Sequence, residues 1–335
     1  MKFLVIQTAF PGDVILATSV VEKLYEFHPT SQIDFLLRKG NESLFASHPF
    51  LKKVLIWDKK KNKFSEILRL LSEVRNGKYD YVINLHRFSS SGFITAFSGA
   101  KNKIGFDKNP LSFLFTEKYE HKIGNETHEI DRNHKLIAKL TNEKSAKPKL
   151  YSSEKDFQTV SEYTTEKYVC FAPASVWFTK QWSTHKWAEL INLIPAEQNI
   201  YLLGASSDLK LCQEIKAALA LSEVEKQSKI INLSGKLTFL ESAALMKEAE
   251  MNYVNDSAPL HLASAVNAPV TAVFCSTVPE FGFGPLSDKS FVAQTKKDLS
   301  CRPCGLHGKS SCPEKHFNCA ESINAQDVIS LSLTK

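Results

Sequence analysis

Short apolar runs alternate with amphipathic stretches along roughly the first 140 residues of the chain. Lys2 to Ile6 and Gln32 to Leu37 have the apolar character of buried strands, and Val14, Ala17 and Val21 recur between them at helical spacing. The alternation predicts a parallel sheet covered by helices on both faces. The other predicted strands here are Lys53 to Trp57, Tyr79 to Leu85 and Lys103 to Phe106, and the other predicted helices are Phe64 to Arg75, Ser89 to Phe97 and Glu126 to Leu140.

The second half of the chain repeats this pattern after a polar stretch, residues 141–154, that has little periodicity. We therefore predict an α/β protein with two doubly wound parallel-sheet domains, residues 1–155 and 156–335. The predicted strands of the second domain are Lys167 to Phe171, Asn199 to Leu203, Lys229 to Leu233, Met251 to Val254 and Pro269 to Cys275. Its predicted helices are Trp187 to Ile194, Asp208 to Leu219, Leu237 to Ala249, Leu260 to Val266 and a last one at about 325–333.

Composition and charge narrow the class of protein. The 335 residues are 43% hydrophobic and 23% charged, as in globular proteins, and no apolar run approaches the roughly 18 residues that a membrane span needs. The amino terminus lacks the long apolar region of a signal peptide, so the sequence predicts a cytoplasmic protein.

A dense basic run, Lys59 to Lys63, stands out against a net charge of only +6. Such a run is either a solvated loop or a surface that rests on anionic lipid headgroups or an acidic acceptor. No aromatic-studded basic strand or DNA-binding motif accompanies it, so we expect no nucleic-acid partner.

The most informative segment is a predicted strand that runs through Asn255, Asp256 and Ser257 into a helix with Pro259 in its first turn. A helix that starts at the carboxyl end of a strand presents free N–H groups and the positive end of its dipole, which favours an anionic ligand. The alternative is an ordinary helix cap with a packed His261.

Three other loops follow predicted strands at the same edge. Thr8 to Asp13 holds a single glycine, Gly12, and does not match the three-glycine dinucleotide pattern. Its Asp13 is either a helix N-cap or a carboxylate that accepts a proton from an attacking hydroxyl.

The loop after the strand at Lys167 carries Lys180 between Trp177 and Trp182. The two rings are core residues or part of a site in which Lys180 neutralises a diphosphate and Ser175 supplies a hydroxyl. The turn at Gly204 either caps its helix or contacts a nucleoside.

Taken together and in order, these pieces resemble glycosyltransferase family 9, the ADP-heptose:lipopolysaccharide heptosyltransferases. The resemblance spans nearly the whole chain. The matching features are Gly12-Asp13 after the first strand, the strand Tyr79 to Leu85, Lys180-Gln181-Trp182, the Gly204 turn, Asn255-Asp256-Ser257 with His261, and a cysteine-rich tail.

The resemblance implies the GT-B architecture, in which two Rossmann-like domains face a central cleft, with the acceptor in the first domain and the nucleotide sugar in the second. It also implies that the last helix, at about 325–333, can cross back to the first domain. It also implies an inverting transfer of heptose from ADP-heptose to a lipid-linked lipopolysaccharide acceptor, without a catalytic metal or cofactor, at the inner face of the cytoplasmic membrane. The alternatives are a nucleotide-sugar epimerase of the same architecture, a transferase of another sugar, and a two-lobed binding protein.

Carried over position by position, the resemblance implies a role for each matching residue. Asp13 is the expected general base, and Lys180 is the expected ligand of the donor phosphates. Many relatives have a basic residue at Gln7, and many have glycine at Ala258, where a Cβ restricts how closely a diphosphate approaches. The expected donor site is Ser175, Lys180, Gly204, Asp256, Ser257, Ala258 and His261, and the expected acceptor site is Gly12, Asp13, Lys60 and Lys61.

The tail holds four cysteines, Cys301, Cys304, Cys312 and Cys319, of which the first two form a Cys-x-x-Cys pair. The spacing allows a structural zinc site, a loop packed by free thiols, or disulfides, which persist mainly outside the cytosol.

Overall fold

The computed structural model describes residues 1–60, 62–220 and 229–333. The chain divides into two compact units, Met1–Tyr151 and Ser152–Lys335. Each unit has its own six-stranded parallel sheet in the part of the chain that the structure describes.

The first unit alternates strands and helices as a doubly wound fold requires. Its strands are β1 (Lys2–Ile6), β2 (Gln32–Arg38), β3 (Leu51–Trp57), β4 (Tyr81–Asn84), β5 (Asn102–Phe106) and β6 (Glu117–Tyr119), and its helices are α1 (Pro11–Phe27), α2 (Lys63–Gly77), α3 (Ser89–Phe97) and α4 (Glu129–Lys135). The central strand β1 is fully buried from Phe3 to Ile6, which is why it reads as a continuous apolar run.

The second unit has the same organisation. Its strands are β7 (Tyr168–Ala172), β8 (Asn199–Leu202), β9 (Ile230–Asn232), β10 (Met251–Asn255), β11 (Val270–Phe274) and β12 (Ser290–Gln294). Its helices are α5 (Glu154–Val160), α6 (Thr184–Leu193), α7 (Leu209–Ala220), α8 (Phe239–Glu248), α9 (Ala258–Ala265), α10 (Asn318–Glu321) and α11 (Ala325–Leu333). Trp182 and Trp187 are its largest fully buried side chains.

Both sheets have the strand order of a doubly wound fold. The first runs β3-β2-β1-β4-β5-β6 and the second runs β9-β8-β7-β10-β11-β12, and all pairs are parallel. The order reverses beside β1 and β4 in the first unit and beside β7 and β10 in the second. Ligands in such folds bind outside the carboxyl ends of the strands at this reversal point. The predicted α/β class with two parallel sheets is confirmed.

Several predicted elements differ from the structure. The helix predicted at Glu126 to Leu140 is wrong in length, because Glu126 has a left-handed φ of 63° and α4 begins only at Glu129. Strands β6 and β12 and helix α5 were not predicted.

The second unit begins at Ser152, two residues before α5. Ser153 and Asp156 form a reciprocal capping box that starts α5 inside the polar stretch, and the Ser152 hydroxyl donates to the Leu240 carbonyl 2.8 Å away. The last helix, α11, packs on α6 and β12 of the same unit. Among the described residues, no helix has both the length and the apolar character needed to cross a membrane.

Candidate active site

In the first unit, the loop after β1 leads directly into α1 and carries Asp13 in the first helical turn. Phe10 is the N-cap and makes no side-chain capping bond, so the alternative in which Asp13 itself is the N-cap is wrong. Burial, followed by the charge of Glu129, raises the pKa of the Asp13 carboxyl to about 6. The backbone N–H groups of Asp13 and Phe10 and the charge of Arg87 act in the opposite direction but only in part.

Glu129 stands at the start of α4, which packs against α1. It is buried and accepts a hydrogen bond from Arg132 Nε at 2.8 Å, and His121 Nε2 lies 3.8 Å from the same carboxylate oxygen. Burial alone would raise the pKa of Glu129, but His121 and Arg132 hold it below its ordinary value. Glu129 therefore stays ionised and keeps a negative charge near Asp13.

The loops after β1 and β4 are joined through Thr8. Its hydroxyl is 3.1 Å from His86 Nδ1, and its carbonyl accepts a hydrogen bond from Lys59 Nζ at 2.8 Å. Burial, with the charges of Lys59 and Arg87, lowers the pKa of His86 to about 3, so the imidazole is neutral.

The other residues of the predicted acceptor site are Gly12, Lys60 and Lys61. Gly12 is half-buried in the first turn of α1. Lys60 is exposed, and its backbone N–H donates to Asp58 Oδ1 at 3.1 Å. Lys61 lies outside the described residues. Among the side chains of the basic run that the structure describes, it is Lys59 whose ammonium group reaches the strand-end loop.

In the second unit, Asn255 ties together the loops after β7 and β10. It is fully buried at the end of β10, its side-chain amide donates to the Pro173 carbonyl, and its Oδ1 accepts from the backbone N–H of Trp182 at 3.1 Å. Trp182 is a core residue, since it is 1% exposed and its indole donates to Ala320, whereas Trp177 is half-buried.

Lys180 and Asp256 form the closest ion pair of this site. Lys180 Nζ lies 2.6 Å from Asp256 Oδ2, and the hydroxyl of Thr277 donates to the same oxygen at 2.6 Å. Asp256 is 4% exposed. The structure therefore brings together two residues that lie 76 positions apart in the sequence, and adds Thr277 from the loop after β11.

Helix α9 begins immediately after this pair. Ser257 is its N-cap, but the Ser257 hydroxyl makes no capping bond and instead lies 3.5 Å from the carbonyl of Asn255. Ala258 and Pro259 fill the first turn, and His261 is buried in the helix. No side chain caps the first turn, so its backbone N–H groups are left available, as an anion site requires.

Ser175 and Gly204 belong to neighbouring loops of the same sheet edge. Ser175 Oγ accepts from Trp177 N at 3.4 Å, and its carbonyl accepts from the side chain of Gln181. A Cβ at Gly204 would come within 2.9 Å of the Asp208 side chain, so glycine is required for the turn that starts α7.

The cysteine-rich tail packs against the loop that carries Lys180. Thr179 exchanges backbone and side-chain hydrogen bonds with Lys309, and its hydroxyl accepts from Ser276 at 3.0 Å. The backbone N–H of Cys304 donates to the Ser276 carbonyl at 2.8 Å. The tail therefore holds the Lys180 loop against the end of β11.

All seven cysteines are free thiols, so the disulfide alternative is wrong. Burial and the neighbouring thiols raise the pKa of Cys304, and burial raises the pKa of Cys319 to about 11, which favours the protonated thiols. No three His, Cys, Asp or Glu side chains among the described residues are arranged to hold a metal ion. The structure thus gives no support to the zinc site predicted at Cys301, Cys304, Cys312 and Cys319.

Sequence reasoning missed Glu129, His86 and Thr277. Glu129 could have been noticed through its spacing of three residues from Arg132 on a predicted helix. His86 follows a predicted strand at the edge that binds ligands. Thr277 gives no signal of its own.

The family model and the related sequences point to one family. The model described as "Glycosyltransferase family 9 (heptosyltransferase)" matches residues 67–315, a stretch that contains Lys180 and Asp256 and begins after Asp13. Lipopolysaccharide heptosyltransferase 1 of Campylobacter coli is 24% identical, with 99% of this chain and 98% of that protein covered. Lipopolysaccharide heptosyltransferase 3 of Escherichia coli is 25% identical, with 80% of this chain and 82% of that protein covered.

Among solved structures, the ADP-heptose lipopolysaccharide heptosyltransferase II of E. coli superposes with a TM-score of 0.81 at 22% identity, covering 99% of this chain and 97% of that one. The E. coli heptosyltransferase WaaC solved with ADP-2-deoxy-2-fluoro heptose has a TM-score of 0.71 at 17% identity and covers 98% of both chains. At these identities the likeness concerns the fold.

Proposed function

This chain belongs to glycosyltransferase family 9, the heptosyltransferase family, and on that premise we propose that it transfers heptose from ADP-heptose to a lipopolysaccharide inner-core acceptor. The observation that carries the chemistry is Asp13, a carboxylate at the sheet's reversal point whose pKa is raised to about 6. A general base works best when its pKa lies near the working pH.

In the proposed reaction, an acceptor hydroxyl attacks the anomeric carbon of the donor in one inverting step. The new carbon–oxygen bond forms as the bond from that carbon to the phosphate oxygen breaks, and ADP leaves with the electron pair. Asp13 accepts the hydroxyl proton. General base catalysis of this kind contributes about 10² to 10⁴ in rate.

The second unit stabilises the leaving diphosphate. Lys180 keeps two of its three ammonium protons for the ligand while Asp256 fixes the position of its head group. The N–H groups at the start of α9 add the positive end of a helix dipole. Ser175, Gly204, Ser257, Ala258 and His261 complete the proposed donor site.

We place a peripheral contact with the inner membrane surface on α2. Phe64 is 79% exposed and Leu68 is 62% exposed on the same helix, and exposed Lys60 precedes them. An exposed apolar pair that follows a basic residue has the chemistry of an interfacial helix.

The test is to incubate the protein with nucleotide sugars and lipopolysaccharide acceptors of different length, and to identify products by mass spectrometry. We expect a heptosylated acceptor and ADP, and a larger thermal shift with ADP than with UDP or GDP. Epimerised nucleotide sugar formed without acceptor would favour the epimerase alternative, and a shift with UDP alone would favour another donor.

A further inference from the structure

Arg302 of the cysteine-rich tail holds the backbone that leaves the end of β11. Its single guanidinium group donates to three carbonyls within four successive residues. They are the carbonyls of Cys275, at 2.8 Å from Nε, and of Thr277 and Phe274, at 2.7 Å and 3.3 Å from Nη2. A guanidinium is a planar fork that bonds to several fixed acceptors at once, whereas a lysine ammonium is a single point of charge. One arginine side chain therefore fixes this segment.

The remaining carbonyl of the segment is also bonded to the tail. The Ser276 carbonyl accepts a hydrogen bond from the backbone N–H of Cys304 at 2.8 Å. Each of the four carbonyls of residues 274–277 thus has a donor in the tail, three of them on Arg302. Buried carbonyls beyond the end of a strand need such donors, because the sheet no longer supplies them.

The hydroxyl groups of the same segment bond to the proposed donor site. Ser276 donates to the hydroxyl of Thr179, the neighbour of Lys180, at 3.0 Å, and Thr277 donates to Asp256 Oδ2 at 2.6 Å. Lys180 Nζ lies 2.6 Å from that same carboxylate oxygen. Ser276 is 0% exposed and Thr277 is 1% exposed, so water has little access to these bonds. The position of the Lys180 ammonium group therefore depends on the backbone that Arg302 holds.

The tail also meets the side chain of Lys180 directly, at Gly308. Gly308 has a left-handed φ of 79°. A Cβ at this position would lie 3.0 Å from Lys180 Cγ and 3.0 Å from the hydroxyl oxygen of Thr179. Both the backbone conformation and the close approach thus favour glycine. The tail packs on Lys180 from one side and holds the residues that fix its ammonium group from the other end of the hydrogen-bond chain.

We propose that Arg302 is a positioning residue of the donor site. By fixing the backbone of residues 274–277, Arg302 orients the Thr277 hydroxyl, which holds Asp256 and, through it, the ammonium group of Lys180 where the donor diphosphate binds. The inference rests on the proposed function and adds to it a residue that acts without contacting the donor. The alternative is that Arg302 contacts the diphosphate itself, and the two are separated by whether its effect passes through Thr277.

The first experiment measures ADP affinity by calorimetric titration of the full-length protein. Arg302→Lys keeps the charge but loses the fork, and should raise the Kd for ADP by about tenfold, a typical coupling between residues of one hydrogen-bond network. In a Thr277→Val background the hydroxyl is already absent, so the same substitution should change Kd by less than about twofold. An unchanged Kd in Arg302→Lys would overturn the positioning role. An equal loss in both backgrounds would also overturn it, because a direct contact with the diphosphate does not need Thr277.

The matched control changes another partner of the same guanidinium. Gln294, an exposed residue at the end of β12, accepts from Arg302 Nη2 at 2.8 Å through its side chain. Gln294→Ala removes this bond and leaves the carbonyls of residues 274–277 bonded, so ADP affinity should not change. If Gln294→Ala weakens ADP binding as much as Arg302→Lys does, the effect comes from general packing of the tail and the proposal is overturned.

The second experiment needs no donor and separates this proposal from the proposed function. Hydrogen–deuterium exchange of the unliganded protein is followed in the peptides that contain residues 274–277 and 178–181. Arg302→Lys should speed exchange in both peptides, whereas Gln294→Ala should not. Unchanged exchange in Arg302→Lys would overturn the positioning role whatever the donor is. Faster exchange in a protein that does not bind ADP would support the positioning of Lys180 and contradict the proposed donor.

Discussion

The carboxylates beside the two reversal points have opposite electrostatic surroundings. In the first unit, Asp13 lies near the like charge of Glu129 and has its pKa raised to about 6. In the second unit, Asp256 is paired with Lys180 at 2.6 Å and bonded to Thr277. The same strand order thus supports a carboxylate with a raised pKa and a carboxylate that pairs with a cation, because the residues around them differ.

This difference indicates which carboxylate we expect to take part in proton transfer. A carboxylate whose ionised form is destabilised is suited to proton transfer, whereas a carboxylate paired with a lysine is suited to holding that lysine in place. Each unit can be tested by changing the group that sets its charge.

The largest expected effect is on Asp13→Asn. Removing the proposed base should lower kcat by about 10² to 10⁴ while ADP still binds, since the proposed donor site is made of residues of the second unit. The measurements are initial rates and calorimetric titration with ADP. Near-normal turnover would remove Asp13 from the role.

The same variant makes a prediction on stability. The folded-state pKa of Asp13 is above its ordinary 3.8, so the folded protein binds this proton more tightly than the unfolded chain does. The free energy of unfolding therefore falls as pH rises from about 4 through 6. Asp13→Asn should therefore be more stable than the unchanged protein at pH 8, with a smaller difference at pH 4. Thermal unfolding at both pH values tests the sign.

A second large effect is expected for Lys180→Met. It leaves Asp256 buried without its cation, which should cost about 3 kcal/mol of the free energy of unfolding, the lower part of the range for a broken buried pair because Thr277 still donates. The double variant Lys180→Met/Asp256→Asn should recover part of that loss without recovering ADP binding. If the double variant binds ADP normally, Lys180 is not a donor ligand.

A moderate effect is expected on the pH dependence of transfer. Glu129→Gln removes a charge that raises the pKa of Asp13, so the acidic limb of kcat/KM should move to lower pH. Arg87→Gln removes a charge that lowers it and should move the limb to higher pH. Shifts of the same sign in both variants would contradict the electrostatic account.

The smallest effect is expected at the cysteine tail. With free thiols, purified protein should keep its activity after treatment with a chelator, and elemental analysis should find less than one equivalent of zinc. Stoichiometric zinc would restore the metal prediction for Cys301, Cys304, Cys312 and Cys319.

The sequence predicted what depends on local pattern. The buried strands, the strand-end loops and Asp13, Lys180 and Asp256 follow from periodicity, loop position and resemblance. What it could not predict depends on pairing between distant segments. Nothing near Asp13 in the chain announces Glu129, which reaches it through the packing of α4 on α1. Likewise a run of lysines does not show which ammonium turns inward, and it is the contact of Lys59 with Thr8 that distinguishes it.

The central claim has two parts. Asp13 remains protonated to an unusually high pH in the folded protein, and its carboxylate, once ionised above that pH, accepts the proton of the acceptor hydroxyl. Its carboxyl carbon can be followed by NMR in protein labelled with ¹³C-aspartate, with Asp13→Asn providing the assignment. The account predicts that this resonance titrates with a pKa of about 6 and that the acidic limb of kcat/KM follows it. Titration near 3.8, or a rate that does not change as Asp13 ionises, would contradict the account.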